Sequence, residues 1–268
     1  MKKGLLMLMA VILILGTMSG CSAASGSTDD AMATIKENGV LVLGTSADYP
    51  PYEFHVEVDG VDTIVGFDIE IAKKIAEEIG VDLEIIDMKF EGLLPALTAG
   101  KIDLIIAGMT PTDERKQSVD FSDVYYKEKQ AVIVRAEDLD TLNSMDGYSG
   151  KTIGVQKSTI QEELAITEFV DSSVKSLDKI PNLILELKTG KIDAIVLVSP
   201  VANSYVKANS DLAVTEIAFD SEDGSAIAVK QNTGEFLDTI NIVLEDLMTS
   251  GTLDQFITEA VELSDSLK

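Results

Sequence analysis

Thr110, Pro111 and Arg115 are spaced to build an anion site. Thr110 is a good helix N-cap and Pro111 fits the first helical position. A helix starting there would aim free backbone N–H groups outward, where they favour an anion. Arg115 lies about a turn further on and can hold a carboxylate by two parallel hydrogen bonds. Gly108, just upstream, gives close access to the main chain. The competing reading is structural: Thr110 only caps its helix, and Arg115 pairs with Asp113, Glu114 or Asp120 in a solvated cluster. Tyr49, Tyr52 and Phe90 carry rings that could pack on the apolar part of a ligand, although core packing is the commoner fate of each. Gln156, Lys157, Ser158 and Thr159 offer polar side chains at a second helix start, and capping explains Ser158 or Thr159 equally well.

Catalysis has little to stand on. The single histidine, His55, falls in an alternating stretch that reads as a surface hairpin. No His/Cys cluster has metal-ligand spacing, no Gly-rich phosphate loop is present, and no cofactor is implied. Carboxylate pairs are too numerous to be diagnostic.

The elements that must position these residues alternate. Ala31 to Asn38 predicts a short helix stopped by Gly39, and Val40 to Gly44 a strand. His55 to Val65 alternates around Asp59-Gly60, the pattern of a hairpin. Ile69, Ile71, Ala72, Ile75, Ala76 and Ile79 mark one face of a helix closed by Gly80. A strand over Val81 to Ile86, a helix over Gly92 to Ala99 and a buried strand over Leu104 to Ala107 follow. Strand and helix in alternation argue for a parallel sheet covered by helices, with ligands beyond the carboxyl ends of its strands.

The pattern then restarts. Strands are predicted over Lys151 to Val155, Ser173 to Leu177 and Ala194 to Val198, with helices over Thr159 to Phe169, Lys179 to Thr189 and Pro200 to Ala208. A shift of 90 positions places Gly100-Lys101-Ile102-Asp103 on Gly190-Lys191-Ile192-Asp193. A repeat with the same strand–helix order around it predicts two related lobes with a cleft between them. Val124 to Val134 and Ser225 to Val229 would be the crossings. Gly234 to Ala260, helical but interrupted at Ser250-Gly251, would return to the first lobe.

The ends and the composition set bounds. Lys2 and Lys3 precede the apolar run Leu5 to Leu15, too short to span a bilayer and fit for a signal-peptide core. Small residues before Cys21 resemble a bacterial lipobox, in which that cysteine becomes the lipidated first residue. The Ser/Ala/Gly-rich run Ser22 to Thr28 reads as a tether. With one cysteine no internal disulfide forms, so burial must hold the core. The chain carries 21 basic and 46 acidic residues, net −25, which excludes a nucleic-acid partner and leaves an anion site dependent on local donors.

As a set, Gly44 to Phe54, Val65-Gly66-Phe67-Asp68-Ile69-Glu70, Gly108 to Arg115, Val119 to Asp123 and Gly154-Val155-Gln156 resemble the polar amino-acid-binding proteins of bacterial ABC importers, the family 3 extracellular solute-binding proteins. The resemblance runs from about Ile35 to near the C-terminus. It implies a two-lobed α/β fold of the periplasmic-binding-protein-like type II, with lobes joined by two hinge strands and closing on a small solute. The expected organisation is a signal peptide over 1–20, a tether over 21–33, a first lobe over 34–128 with 226–268, and a second lobe over 129–225. It further implies a monomer that delivers an amino acid or related carboxylate to a permease with ATPase subunits. A lipid at Cys21 would anchor it to the outer face of a Gram-positive cell membrane.

Carried over by position, Tyr49 and Phe90 would flank the ligand. Gly108, Met109 and Thr110 would meet its polar end, and Arg115 would clamp the α-carboxylate. Thr159 and Ile160 would approach from the second lobe, with Gln156 in the side-chain pocket. Ser46 stands where some members have an aspartate. Val198 stands where members usually have an acid that holds the α-ammonium, and an ammonium without that partner forfeits about 1.5–3 kcal/mol, roughly tenfold or more in affinity. Either Glu53, Glu222 or Asp223 substitutes, or water does, or the ligand is not a standard α-amino acid. Two rival functions remain on the same fold: a dehydratase-type enzyme and a ligand sensor without a permease.

Overall fold

The structure, a computed structural model, describes residues 30–219 and 222–267. The expected signal segment, Cys21 and the tether over 22–28 lie outside the described residues. No helix of the described residues is long and apolar enough to cross a membrane.

The first lobe opens with α1 (Asp30–Asn38) and β1 (Val40–Thr45), followed by a three-stranded hairpin unit of β2 (Asp48–Tyr49), β3 (Glu53–Val58) and β4 (Val61–Val65). The turn between β3 and β4 is Asp59-Gly60, both at positive φ, which matches the twist of the flanking strands. Then come α2 (Phe67–Ile79), β5 (Asp82–Asp87), α3 (Phe90–Thr98), β6 (Leu104–Ile105) and β7 (Val119–Phe121). The predicted apolar face of α2 is buried, and Gly80 ends the helix in the left-handed region.

The second lobe contains β8 (Tyr126–Arg135), α4 (Leu139–Leu142), β9 (Thr152–Gln156), α5 (Ile160–Glu168), β10 (Ser173–Leu177), α6 (Ile180–Lys188), β11 (Ala194–Val198), α7 (Ser199–Ala208) and β12 (Leu212–Val214). The chain returns through β13 (Glu222–Ser225) and β14 (Ala228–Lys230) to α8 (Gly234–Ser250) and α9 (Thr252–Ser266).

Each lobe is built on one main sheet, β5-β1-β6-β14-β7 in the first, which also carries the small sheet β2-β3-β4, and β10-β9-β11-β8-β12 in the second. In each, a strand of the crossing chain runs antiparallel to its neighbours: β14 beside β6 and β7, β8 beside β11 and β12. The first half of β8 pairs with β13, from Tyr126 opposite Ser225 to Lys129 opposite Glu222. These paired strands join the lobes.

The repeat has a physical basis. Gly100 and Gly190 take the same left-handed turn, at φ 70° and 71°. Asp103 then accepts the Val42 N–H at 2.9 Å, and Asp193 the Thr152 N–H at 2.8 Å. Each aspartate ties the start of its strand to the neighbouring parallel strand, β1 in the first lobe and β9 in the second. Gly44 and Gly154 hold corresponding places on β1 and β9, 110 positions apart rather than 90. The extra residues of the first lobe are the hairpin unit β2–β4.

Two expectations change. The α-helix predicted from Thr110 is absent; one 3-10 turn spans Arg115–Gln117. β7 starts at Val119 and leaves no room for a longer helix, and it is Thr112, not Thr110, whose hydroxyl accepts the Arg115 N–H, at 3.3 Å. The C-terminal helices pack on the first lobe as expected, but α9 also reaches the second. Ser264 lies 3.4 Å from Ser204 of α7, and Asp265 pairs with Lys207.

Candidate functional site

A cavity of about 340 Å³ lies between the lobes, beyond the carboxyl ends of β1, β6 and β9. Ser46 and Tyr49 enter from the segment after β1, Glu53 from the start of β3 and Phe90 from the first turn of α3. Ala107, Gly108, Thr110 and Arg115 line it from the segment after β6. Gln156, Thr159, Ile160 and Gln161 close it from the second lobe.

Arg115 is buried, yet no carboxylate among the described residues lies within ion-pair distance of it. Its Nη1 donates to the Thr110 carbonyl at 2.8 Å and its Nη2 to the Ser158 carbonyl of the other lobe, also at 2.8 Å. The guanidinium stands over the Phe90 ring, 5.4 Å from its centroid, a geometry favourable to a cation. Asp113, Glu114 and Asp120 do not bind it, so the solvated-cluster reading fails. Burial depresses its pKa, with Glu114 and Glu163 acting in the opposite sense. A desolvated cation held by neutral carbonyls is a site prepared for an anion.

At another wall stands the opposite charge. Glu53 is fully buried and neither carboxyl oxygen has a partner in hydrogen-bond geometry. The Asp68 carboxyl and the Ser46 main-chain N–H bear on it, short of that geometry. Burial raises the Glu53 pKa well above the carboxylate range, and Asp68 and Asp48 add to the rise. Asp68 is better satisfied: it accepts the Gly108 N–H at 3.0 Å and the Tyr125 hydroxyl at 2.8 Å. Burial lifts it to about 6, and these donors oppose the rise.

Gly108 sits at φ 54°, and a Cβ there would lie 3.0 Å from Tyr49 Cε1. Both facts favour glycine and let the Tyr49 ring lie against the main chain. The Val198 main-chain N–H bears on the Tyr49 hydroxyl.

The structure therefore brings Ser46, Tyr49, Phe90, Gly108, Thr110, Arg115, Gln156, Thr159 and Ile160 together. Met109 and Val198 stay outside the lining. Met109 packs with Phe90 and Leu93 in the core, and its carbonyl accepts the Ala226 N–H at 2.9 Å. Val198 is buried in the core cluster and is not among the residues that line the cavity. The Thr159 hydroxyl donates to the Gln156 carbonyl at 2.7 Å, which leaves the free N–H groups at the start of α5 as the second lobe's donors. Glu53, Ala107 and Gln161 line the cavity besides the residues expected there. Glu53 was recognisable as a substitute carboxylate; nothing in the spacing marks the other two. The side chains of Glu222 and Asp223 lie outside the described residues.

The family model for bacterial extracellular solute-binding proteins, family 3, matches residues 41–260. The arginine-binding extracellular protein ArtP of Bacillus subtilis is 38% identical over 95% of this chain and 96% of its own. The L-cystine-binding protein TcyJ of Escherichia coli is 31% identical over 94% and 92%. Among solved structures, the amino acid ABC transporter substrate-binding protein AbpA of Streptococcus pneumoniae, bound to L-arginine, superposes with a TM-score of 0.85 at 40% identity, covering 88% of this chain and all of that one. An ancestral amino-acid-binding protein described as a precursor of cyclohexadienyl dehydratase also superposes, at TM-score 0.78 and 30% identity over 86% of this chain and 99% of that one. The relatives that match nearly the whole chain are binding proteins, and this chain is a binding protein rather than an enzyme. With the family model matched over most of its length, the chain belongs to family 3 of the bacterial extracellular solute-binding proteins.

Proposed function

We propose that the chain is the solute-binding component of an ABC importer, and that it captures a basic amino acid, arginine first, by closing its lobes on it. One observation carries this reading. A single cavity holds a buried guanidinium without an anion, Arg115, and a buried carboxyl without a hydrogen-bond partner, Glu53. The solute that satisfies both has a carboxylate and a positive charge, as every α-amino acid does, and the arginine-binding relatives support one with a cationic side chain. Its α-carboxylate would take the Arg115 fork, with Thr110 and the N–H groups at the start of α5 beside it. Its aliphatic part would lie between Tyr49 and Phe90, and its cationic end would reach Glu53 near Ser46. The hinge points of closure are proposed at 128/129 and 225/226, where the chain crosses between sheets.

Calorimetric titration against arginine, citrulline, glutamine, histidine, cystine and glutamate tests the reading. Arginine is expected to bind most tightly and glutamate not at all. Preference for an acidic or neutral solute would overturn it.

We also propose that the mature chain is a monomer held on the outer face of a Gram-positive membrane by a lipid on Cys21, and passes its ligand to a permease driven by ATPase subunits. The support is the charged start, the short apolar run and the small residues before that cysteine. Labelling with an alkyne palmitate is expected to mark the wild type and to be lost in Cys21→Ser, which should be shed into the medium. Equal labelling of both would sink the anchor.

A further inference from the structure

The cleft is also held shut by contacts that touch no solute. Asp48, on β2 of the first lobe, is buried and its Oδ2 accepts the N–H of Ile180 at 2.8 Å, across 132 positions of sequence. Ile180 is the first residue of α6 in the second lobe. That helix has no side-chain cap of its own, and Pro181, next along, has no N–H to offer. The Asp48 main-chain carbonyl accepts the hydroxyl of Tyr205, from α7 of the second lobe, at 2.8 Å. Its Oδ1 accepts from Ser46 Oγ at 3.1 Å, and Ser46 and Tyr49 both line the cavity.

Beside this contact the two rims carry alternating charges. Asp87, Lys89 and Glu91 of the first lobe face Lys179, Asp178 and Lys157 of the second. Asp87 meets Lys179 at 3.3 Å, Lys89 pairs with Asp178, and Glu91 lies 3.9 Å from Lys157. These side chains are partly exposed, so each pair is weak and screened by salt. The ladder sets the register of the rims, while the buried Asp48 bond has little competition from water.

We propose that Asp48 is the positioning residue for closure: by capping a helix of the opposite lobe it sets how long a bound solute stays. The inference rests on the reading of the cleft as a solute site. A cap-to-alanine change removes a bond made only when the lobes meet, so it acts on dissociation rather than on encounter.

Stopped-flow kinetics with arginine tests it. Asp48→Ala is expected to raise koff about tenfold with kon within about twofold of wild type. Asp48→Asn keeps an acceptor for the Ile180 N–H and should recover most of the residence time, which a merely structural role would not explain. An unchanged koff in Asp48→Ala, or a loss confined to kon, overturns the proposal. If Asp48→Ala does not fold, Tyr205→Phe, which removes the second cross-lobe bond, should raise koff by a smaller factor, and an unchanged koff there overturns it. If the wild type binds no amino acid, the function proposed above fails on its own. Small-angle scattering of the unliganded proteins then decides the clasp: Asp48→Ala is expected to be more open than wild type and Asp48→Asn not, and identical profiles overturn it.

Discussion

Replacing Arg115 by alanine is expected to weaken arginine binding about a hundredfold to a thousandfold, or roughly 3–4 kcal/mol. The loss is large because the variant leaves the ligand carboxylate desolvated and without its fork, not because one ion pair is intrinsically that strong. Unliganded stability should move little. The guanidinium is buried without an anion, so removing it relieves a desolvation cost, and this offsets the two lost bonds to the Thr110 and Ser158 carbonyls. The signature is a collapse in affinity with a melting temperature close to wild type. Arg115→Lys keeps the charge but not the planar fork or the stacking on Phe90, and should recover only part of the affinity. Calorimetric titration with thermal melting of the three proteins checks this. Arginine binding within threefold of wild type in Arg115→Ala would remove the carboxylate site from that residue.

Local patterns were legible in the sequence where one element carries them. The apolar spacing of α2 and the continuous apolar run of β11 each express a single buried face, and the strands at Ser173–Leu177 and Ala194–Val198 fall where their residues predict. The Gly-Lys-Ile-Asp repeat was readable because its glycine and aspartate act within one lobe, through a left-handed turn and a bond to the next strand. Thr110 misled because capping chemistry is necessary but not sufficient: a helix also needs length, and β7 takes it. What stayed hidden depends on distant partners. Nothing near Asp48 shows that Ile180 will lack a cap, and nothing in the alternation of β3 shows that Asp68 folds in behind Glu53. Val198 shows where a resemblance and the cavity lining differ. The resemblance set it at the ligand, whereas its side chain is buried in the core and its main chain bears on Tyr49.

Glu53→Gln is the sharper test of what the cavity selects. It is expected to cost arginine about ten- to a hundredfold in affinity, the usual loss when one charge of a buried, hydrogen-bonded pair is removed. Citrulline, which has arginine's shape without its charge, should bind the variant at least as well as it binds wild type. The two buried acids Glu53 and Asp68 adjoin, and only Asp68 has donors on its oxygens. The charge therefore settles on Asp68, which titrates near 6, and the proton on Glu53. Both folded pKa values are raised, so the folded protein binds more protons than the unfolded chain above about pH 4. Unliganded stability then falls as pH rises through that window. A cationic ligand reverses the preference at Glu53, because a carboxylate facing it is worth more than a neutral acid, and the proton must leave. Arginine affinity is thus expected to rise with pH as Glu53 gives up its proton, with proton release visible as a binding enthalpy that depends on the buffer. Glu53→Gln should flatten the pH profile and abolish the buffer dependence. It should also stabilise the unliganded protein, since a neutral amide replaces an acid forced to hold a proton. A variant that keeps the wild-type preference for arginine over citrulline would assign the cationic end to another group, while binding that still requires Arg115 would leave the carboxylate site standing.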